Sequence, residues 1–169
     1  SRARTYEQQE SFLNQVRTLS KPFYERAIQC YSNHHFNMEN KYYTVERKVC
    51  CRDVPNNLVY YEPTPVNRDI TWQHQMQCAF VLSPAGGGMD CHRTWEAILL
   101  GCIPIVKRFN VPHDNVYDDL PILVVDNWAD ITLDLLEKTV SDFRTKTFNM
   151  EKLKLSYWVK LFHSYKQLQ

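Results

Sequence analysis

The stretch Phe80-Val81-Leu82-Ser83-Pro84-Ala85-Gly86-Gly87-Gly88-Met89-Asp90-Cys91-His92-Arg93-Thr94-Trp95-Glu96-Ala97-Ile98-Leu99-Leu100-Gly101-Cys102-Ile103-Pro104-Ile105-Val106 decides how this chain folds. Phe80 to Leu82 reads as a buried strand. A glycine loop follows, then a helix from Cys91 to Leu100, then a second apolar strand from Ile103 to Val106. All 4 glycines of the chain fall inside this segment. Glycine concentrated in this way marks backbone that turns tightly or approaches a ligand closely. Asp90 is the expected N-cap of the helix, and Gly101 the expected residue just past its end. Trp95, Ile98 and Leu99 are expected to face the sheet. His92 and Glu96, four apart, share one face, with Arg93 on its flank.

Downstream, Pro121-Ile122-Leu123-Val124-Val125 reads as a strand buried on both faces, followed by a turn or cap at Asp126-Asn127. Ile131, Leu135, Leu136 and Val140 then mark an amphipathic helix. A last helix is expected from Met150 to Tyr165, burying Leu153, Tyr157, Leu161 and Trp158. Upstream, Leu58 to Tyr61 reads as a strand stopped by Pro63 and Pro65. A short helix over Asn67 to Gln77 turns Ile70, Trp72 and Met76 inwards. Phe12, Leu13, Val16 and Leu19 place a helix over residues 5–19. Pro22 suits the start of a second helix, with Phe23, Ala27, Ile28 and Tyr31 as its stripe. Residues 32–57 are polar and irregular, with short strands expected near Tyr42 to Val45 and Val49 to Cys51.

Strands alternating with helices imply an α/β fold with a parallel sheet in one domain. Its parts are a helical N-terminal part (1–57), a strand–loop–helix core (58–148) and a C-terminal helix (149–169). Sites in such folds lie at the carboxyl ends of strands. Here those ends are Ser83 to Asp90, Lys107 to Asn110, and Asp126-Asn127.

A formal net charge of +1 offers no bulk attraction to nucleic acid or anionic membrane. No apolar run reaches membrane-spanning length and no signal-peptide pattern opens the chain, so the expectation is a soluble domain. The 6 cysteines lack the paired spacing of a zinc site. They are expected as mostly reduced, with Cys78 and Cys102 in the core and one of Cys50 and Cys51 facing it. His34-His35, without a nearby carboxylate or cysteine set, reads as a solvated loop rather than a metal site.

The chemistry sits at the start of the central helix. Free backbone N–H groups, the positive end of the helix dipole and a glycine loop together make an anion site, with phosphate the obvious anion. Arg93 can add a bidentate contact. Glu96, one turn deeper, suits the two hydroxyls of a ribose. The plain alternatives are a loose turn and a surface ion pair between Arg93 and Glu96. No Gly-Lys-Ser/Thr follows the loop, so it is not a Walker A motif, nor is it the G-x-G-x-x-G fingerprint.

The segment also resembles the donor-binding domain of exostosin-like glycosyltransferases, which have the two-domain GT-B architecture. The likeness lies in Phe80-Val81-Leu82-Ser83-Pro84, the Gly86–Gly88 loop, Arg93, Trp95-Glu96-Ala97 and Gly101-Cys102-Ile103-Pro104-Ile105. Asp119-Leu120-Pro121 and the stretches Lys152-Leu153 and Tyr157-Trp158 share it. It is sharp over about 50 residues and faint before Leu58. The resemblance implies a Rossmann-like domain that binds a nucleotide-diphosphate sugar and helps transfer the sugar to a glycan or other hydroxyl acceptor. Arg93 would contact the diphosphate and Glu96 the ribose. Ser83, Gly86, Gly87 and Gly88 would line the pyrophosphate, and His92 would touch phosphate or sugar.

The resemblance implies no metal and no cofactor beyond the sugar nucleotide, and a lumenal, secretory setting. Asp118-Asp119 is adjacent rather than alternating, so it does not make an Asp-x-Asp metal motif. The chain is too short for both GT-B domains, so an acceptor-binding domain in cis or trans is implied. It also opens on a helix where the family's domain opens on a strand. His113 and Asp114 lie at the right sheet edge for a base, without further support. Two other readings remain open at this point: a glycosyltransferase-like binding module without turnover, and another phosphate-handling α/β enzyme such as a sugar-phosphate isomerase.

Overall fold

A computed structural model describes residues 5–34, 41–86, 88, 91–109 and 116–166. The strands are β1 (Ala27–Ser32), β2 (Val59–Tyr61), β3 (Cys78–Leu82), β4 (Ile103–Lys107) and β5 (Leu123–Val125). They pair in parallel throughout, in the order β2-β1-β3-β4-β5. Around them lie α1 (Tyr6–Leu19), α2 (Lys41–Asp53), α3 (Arg68–Gln75), α4 (His92–Leu99), α5 (Leu133–Thr145) and α6 (Leu155–Lys166). This is the Rossmann-like α/β architecture that the apolar runs imply.

Parallel sheets bury both faces, and the packing here shows it. On one face Cys30, Phe80, Leu82, Ile103 and Ile105 pack with Cys50 of α2, Val54 just past its end and Leu136 of α5. On the other, Tyr31 and Val81 pack with Val16 of α1, Trp72 of α3 and Ala97 of α4. A third cluster joins Ile98 of α4 to Val106, Leu120 and Ile122. Each fully buried large apolar side chain contributes about 1.5–3 kcal/mol. Among the described residues no helix is long and apolar enough to cross a membrane.

The sequence-derived helix over Phe23 to Tyr31 is instead a short 3-10 turn and strand β1. The expected strands at Tyr42 to Val45 and Val49 to Cys51 are one helix, α2. The part read as helical, 1–57, therefore supplies a strand at the heart of the sheet. Cys50 is buried and Cys51 half-buried, now on a helix. Ile70 and Leu19, read as inward, are exposed. So is Leu161 on α6, while Tyr157 and Trp158 are half-buried. All 6 cysteines are free thiols.

The end of α4 is closed twice. Gly101, at φ +73°, donates to the Ile98 carbonyl, and the Cys102 amide donates to the Ala97 carbonyl, both at 2.9 Å. That double bond pattern is a Schellman closure, and it demands a left-handed residue at Gly101. Buried Arg26 then donates from Nη2 to the Leu100 carbonyl at 2.8 Å and from Nη1 to Cys102 Sγ at 3.1 Å. A cation here also complements the negative end of the helix dipole.

Gly101→Ala is expected to lower unfolding free energy by about 1–2 kcal/mol in urea titrations, since a Cβ is strained in the left-handed region. The new Cβ would also meet Arg26 Nη2 at 3.0 Å. Burial pushes the Cys78 thiol from 9.0 up to about 11, and Cys102 up to about 12 against the opposing pull of Arg26. Folded-state values raised in this way favour the folded protein below pH ~9 and lose that contribution as pH rises through the folded values. The melting temperature is expected to fall between about pH 9 and 11, and less steeply in Cys78→Val.

Candidate functional site

The chain winds from β1 outward to β2, then returns to place β3 on the other side of β1. That reversal separates the loops leaving β1 and β3 and opens a crevice at their carboxyl ends, where ligands bind in open α/β sheets. A pocket of about 250 Å³ occupies it. Tyr31 and Asn33 come from the β1 side, Val81 from β3, and Arg47 from α2. Arg68, Thr71 and Gln75 come from α3, and His92, Arg93 and Glu96 from α4. A second pocket, of about 260 Å³, shares Asn33 and Val66 with it and is lined by Glu62 and His34 among others.

The loop out of β3 is tightly held. The Ser83 amide donates to the Ile105 carbonyl at 2.9 Å, and Ser83 Oγ lies 2.8 Å from Thr94 Oγ1 and 3.4 Å from Cys91 Sγ. Arg47 Nε donates to the Ala85 carbonyl at 3.2 Å. The Gly86 amide donates to the Gly88 carbonyl at 2.9 Å. A side chain at Gly86 would meet Cys91 Cβ at 3.2 Å and Arg47 Nη2 at 3.4 Å, so glycine permits the close approach of that guanidinium.

Cys91, not Asp90, is the N-cap of α4, and its side chain makes no cap bond. Asp90 lies outside the described residues. The Thr94 amide is engaged by the Cys91 carbonyl at 3.0 Å. Among the described residues the His92 and Arg93 amides have no acceptor, as expected for uncapped first-turn groups. Arg93 is half-buried, and among the described residues its side chain donates no hydrogen bond. Burial, and then the nearby Arg93 charge, lower the Arg47 pKa from its ordinary value. Two guanidiniums held close beside a helix N-terminus form an electropositive wall.

Glu96 is the one carboxylate among the described lining residues of this pocket. Trp72 Nε1 donates to its Oε2 at 3.1 Å, and Arg68 Nη2 stands 3.6 Å from Oε1. Arg68 also donates to Gln9 Oε1 at 2.9 Å and covers the Trp72 ring. The Arg68–Glu96 pair is half-exposed, so its role is orientation rather than stability. Held by donors on α3, the Glu96 carboxylate keeps acceptor capacity for further hydroxyls.

His92, Arg93 and Glu96 thus meet in one pocket, as their spacing implies. Ser83 and Gly86 do not line it; they brace the loop beneath it. Gly88 is described only as the acceptor for Gly86, and Gly87, His35, His113 and Asp114 lie outside the described residues. His34 is turned inward. Its Nε2 donates to the Leu82 carbonyl at 3.2 Å, which leaves Nδ1 to accept from Ser32 Oγ at 3.1 Å. Among the described residues no group of His, Cys, Asp or Glu is gathered to hold a metal.

Arg47, Arg68 and Gln75 were not legible as site residues. Arg68, Thr71 and Gln75 do recur at helical spacing on the same helix as Trp72, a polar stripe that points to a lined cavity. Arg47 carried no such signal. No protein-family model matches this sequence, and no curated protein matches it either.

Thr94→Val is expected to cost about 1–2 kcal/mol in urea unfolding, because it removes the best partner of the buried Ser83 hydroxyl.

Proposed function

We propose that this chain binds a nucleoside-diphosphate sugar and forms the donor-binding part of a glycosyltransferase. The observation that carries the reading is the wall of the β1–β3 crevice. Among the described residues, Arg47, Arg68, Arg93 and a helix start without a side-chain cap face a single, already oriented carboxylate, Glu96. A diphosphate needs the cations and the free amides; a ribose diol needs the carboxylate one turn along. The resemblance of residues 80–106 to exostosin-like enzymes supports the same reading.

In the transfer, the bond between the sugar C1 and the β-phosphate oxygen breaks as the acceptor hydroxyl oxygen bonds to C1. The nucleoside diphosphate leaves with the electron pair. Arg93, with Arg47 behind it and the amides of His92 and Arg93 beside it, would stabilise the charge that grows on that phosphate. The hydroxyl proton goes to a base. Glu96, engaged with Trp72 and placed for the ribose, is not assigned that role, so the base comes from outside this wall. An acceptor-binding domain is the proposed source.

A thermal-shift series with nucleoside diphosphates tests the reading. With ligand at 100 times its dissociation constant, stabilisation of about 2.7 kcal/mol is expected, or roughly 5–10 °C for a chain of this size. Arg93→Ala is expected to abolish the shift while leaving the unliganded melting temperature within about 2 °C. If no nucleoside diphosphate moves the transition at millimolar concentration, the reading is wrong.

A further inference from the structure

We propose that Gln75 is the specificity-determining residue of the crevice pocket, reading the hydrogen-bonding edge of the nucleobase. This rests on the nucleotide reading above and adds to it the part of the ligand that is discriminated. Gln75 ends α3, is 2% exposed, lines the pocket, and has an Nε2 with no hydrogen-bond partner among the described residues. A buried amide group left unpaired works against folding. A ligand atom in the same pocket supplies the missing partner.

The pocket is graded. Its neutral floor is Tyr31, Val81 and Gln75, at 1%, 0% and 2% exposed; the other buried lining residue is the cation Arg47, at 7%. Its rim carries the cations Arg68, half-exposed, and Arg93, half-buried. The Tyr31 hydroxyl donates to Glu62 Oε2 at 2.9 Å and is therefore engaged away from a ligand. A neutral floor disfavours a charged group and accepts a polar one only where it can be hydrogen-bonded. The floor therefore takes a neutral portion of the ligand and leaves the anionic portion at the cations.

The covalent order of a sugar nucleotide then selects which neutral portion. The sequence runs sugar, diphosphate, ribose, base. With the diphosphate at Arg93 and the ribose at Glu96, the group beyond the ribose, towards α3, is the base. Thr71 lies one turn before Gln75 on the same wall. Its Oγ1 accepts from Asn33 Nδ2 at 3.4 Å. A carboxamide offers donors and an acceptor side by side, and a half-turn exchanges its two ends. That complements the adjacent donor and acceptor atoms along a base edge, as glutamine does elsewhere with adenine.

Titration of the protein with uridine, cytidine, guanosine and adenosine diphosphates and with inorganic pyrophosphate tests the assignment. The wild type is expected to favour one base over the others by about tenfold or more. Gln75→Leu is expected to bring the four nucleotides within about twofold of one another, with pyrophosphate affinity unchanged. Its unliganded melting temperature is expected to hold or rise, because an unpaired buried amide is removed; a purely structural glutamine would give a fall. Gln75→Met, unbranched and of similar length, provides the same comparison should the leucine variant not fold. A base preference that survives in the folded variant, or a wild type that binds pyrophosphate and all four nucleotides alike, overturns the role of Gln75 alone. Binding of neither pyrophosphate nor any nucleotide overturns the nucleotide reading as well.

Discussion

The rest of the structure depends on the two-sided burial of β3. Its five residues, Cys78 to Leu82, are between 0% and 4% exposed. A strand so placed must carry helices on both faces, and its exit must continue through interior space. The next residues, Ser83 to Gly86, are buried too. Buried polar groups need partners, and these come from three directions: the Ile105 carbonyl for the Ser83 amide, the Thr94 hydroxyl for the Ser83 side chain and the Arg47 guanidinium for the Ala85 carbonyl. The same need that places Arg47 against the Ala85 carbonyl also sets a second cation beside Arg93. Loop support and anion attraction therefore share one side chain.

This arrangement makes the field at the crevice a local property. The chain as a whole is close to neutral, with a formal charge of +1. Among the described residues lining the pocket, however, three arginines face one carboxylate, and that carboxylate is oriented by Trp72 and Arg68. Screening in solution weakens exposed charges more than partly buried ones. Arg47 and Arg93, set into the crevice wall, keep more of their influence than surface lysines would.

Strands β3, β4 and β5 were legible because each is a short unbroken apolar run between turn residues, the mark of burial on both faces. Helices α1, α3 and α5 were legible by period. β1 was not: Phe23, Ala27, Ile28 and Tyr31 happen to fall at helical spacing, while the strand buries Cys30, Tyr31 and Ser32 in succession and so shows no alternation. α2 escaped for a different reason. Its inward face runs Glu46, Arg47 and Cys50, so two charged residues stand where a hydrophobic period would announce a helix. Glu46 is accommodated by the Trp128 Nε1 donor at 2.7 Å, a partner far away in sequence. At the site, Arg93 and Glu96 could be paired from helix geometry alone. Arg47 and Gln75 could not, because their place in the pocket is set by tertiary packing.

The closure of α4 by Arg26 has a consequence for the order in which the chain assembles. Arg26 and the groups it binds, Leu100 and Cys102, are 74 and 76 positions apart. The helix that carries Arg93 and Glu96 can form its turns locally, but it cannot receive this final bond until the start of β1 has been brought to the base of β3. Long-range closure of this kind is slow relative to helix formation, because chain entropy must be lost before the contact is gained. The front of α4, where the pocket lies, therefore reaches its final position only when the centre of the sheet is complete. A chain stalled before that point would carry the residues of the site without the crevice that gives them a common target.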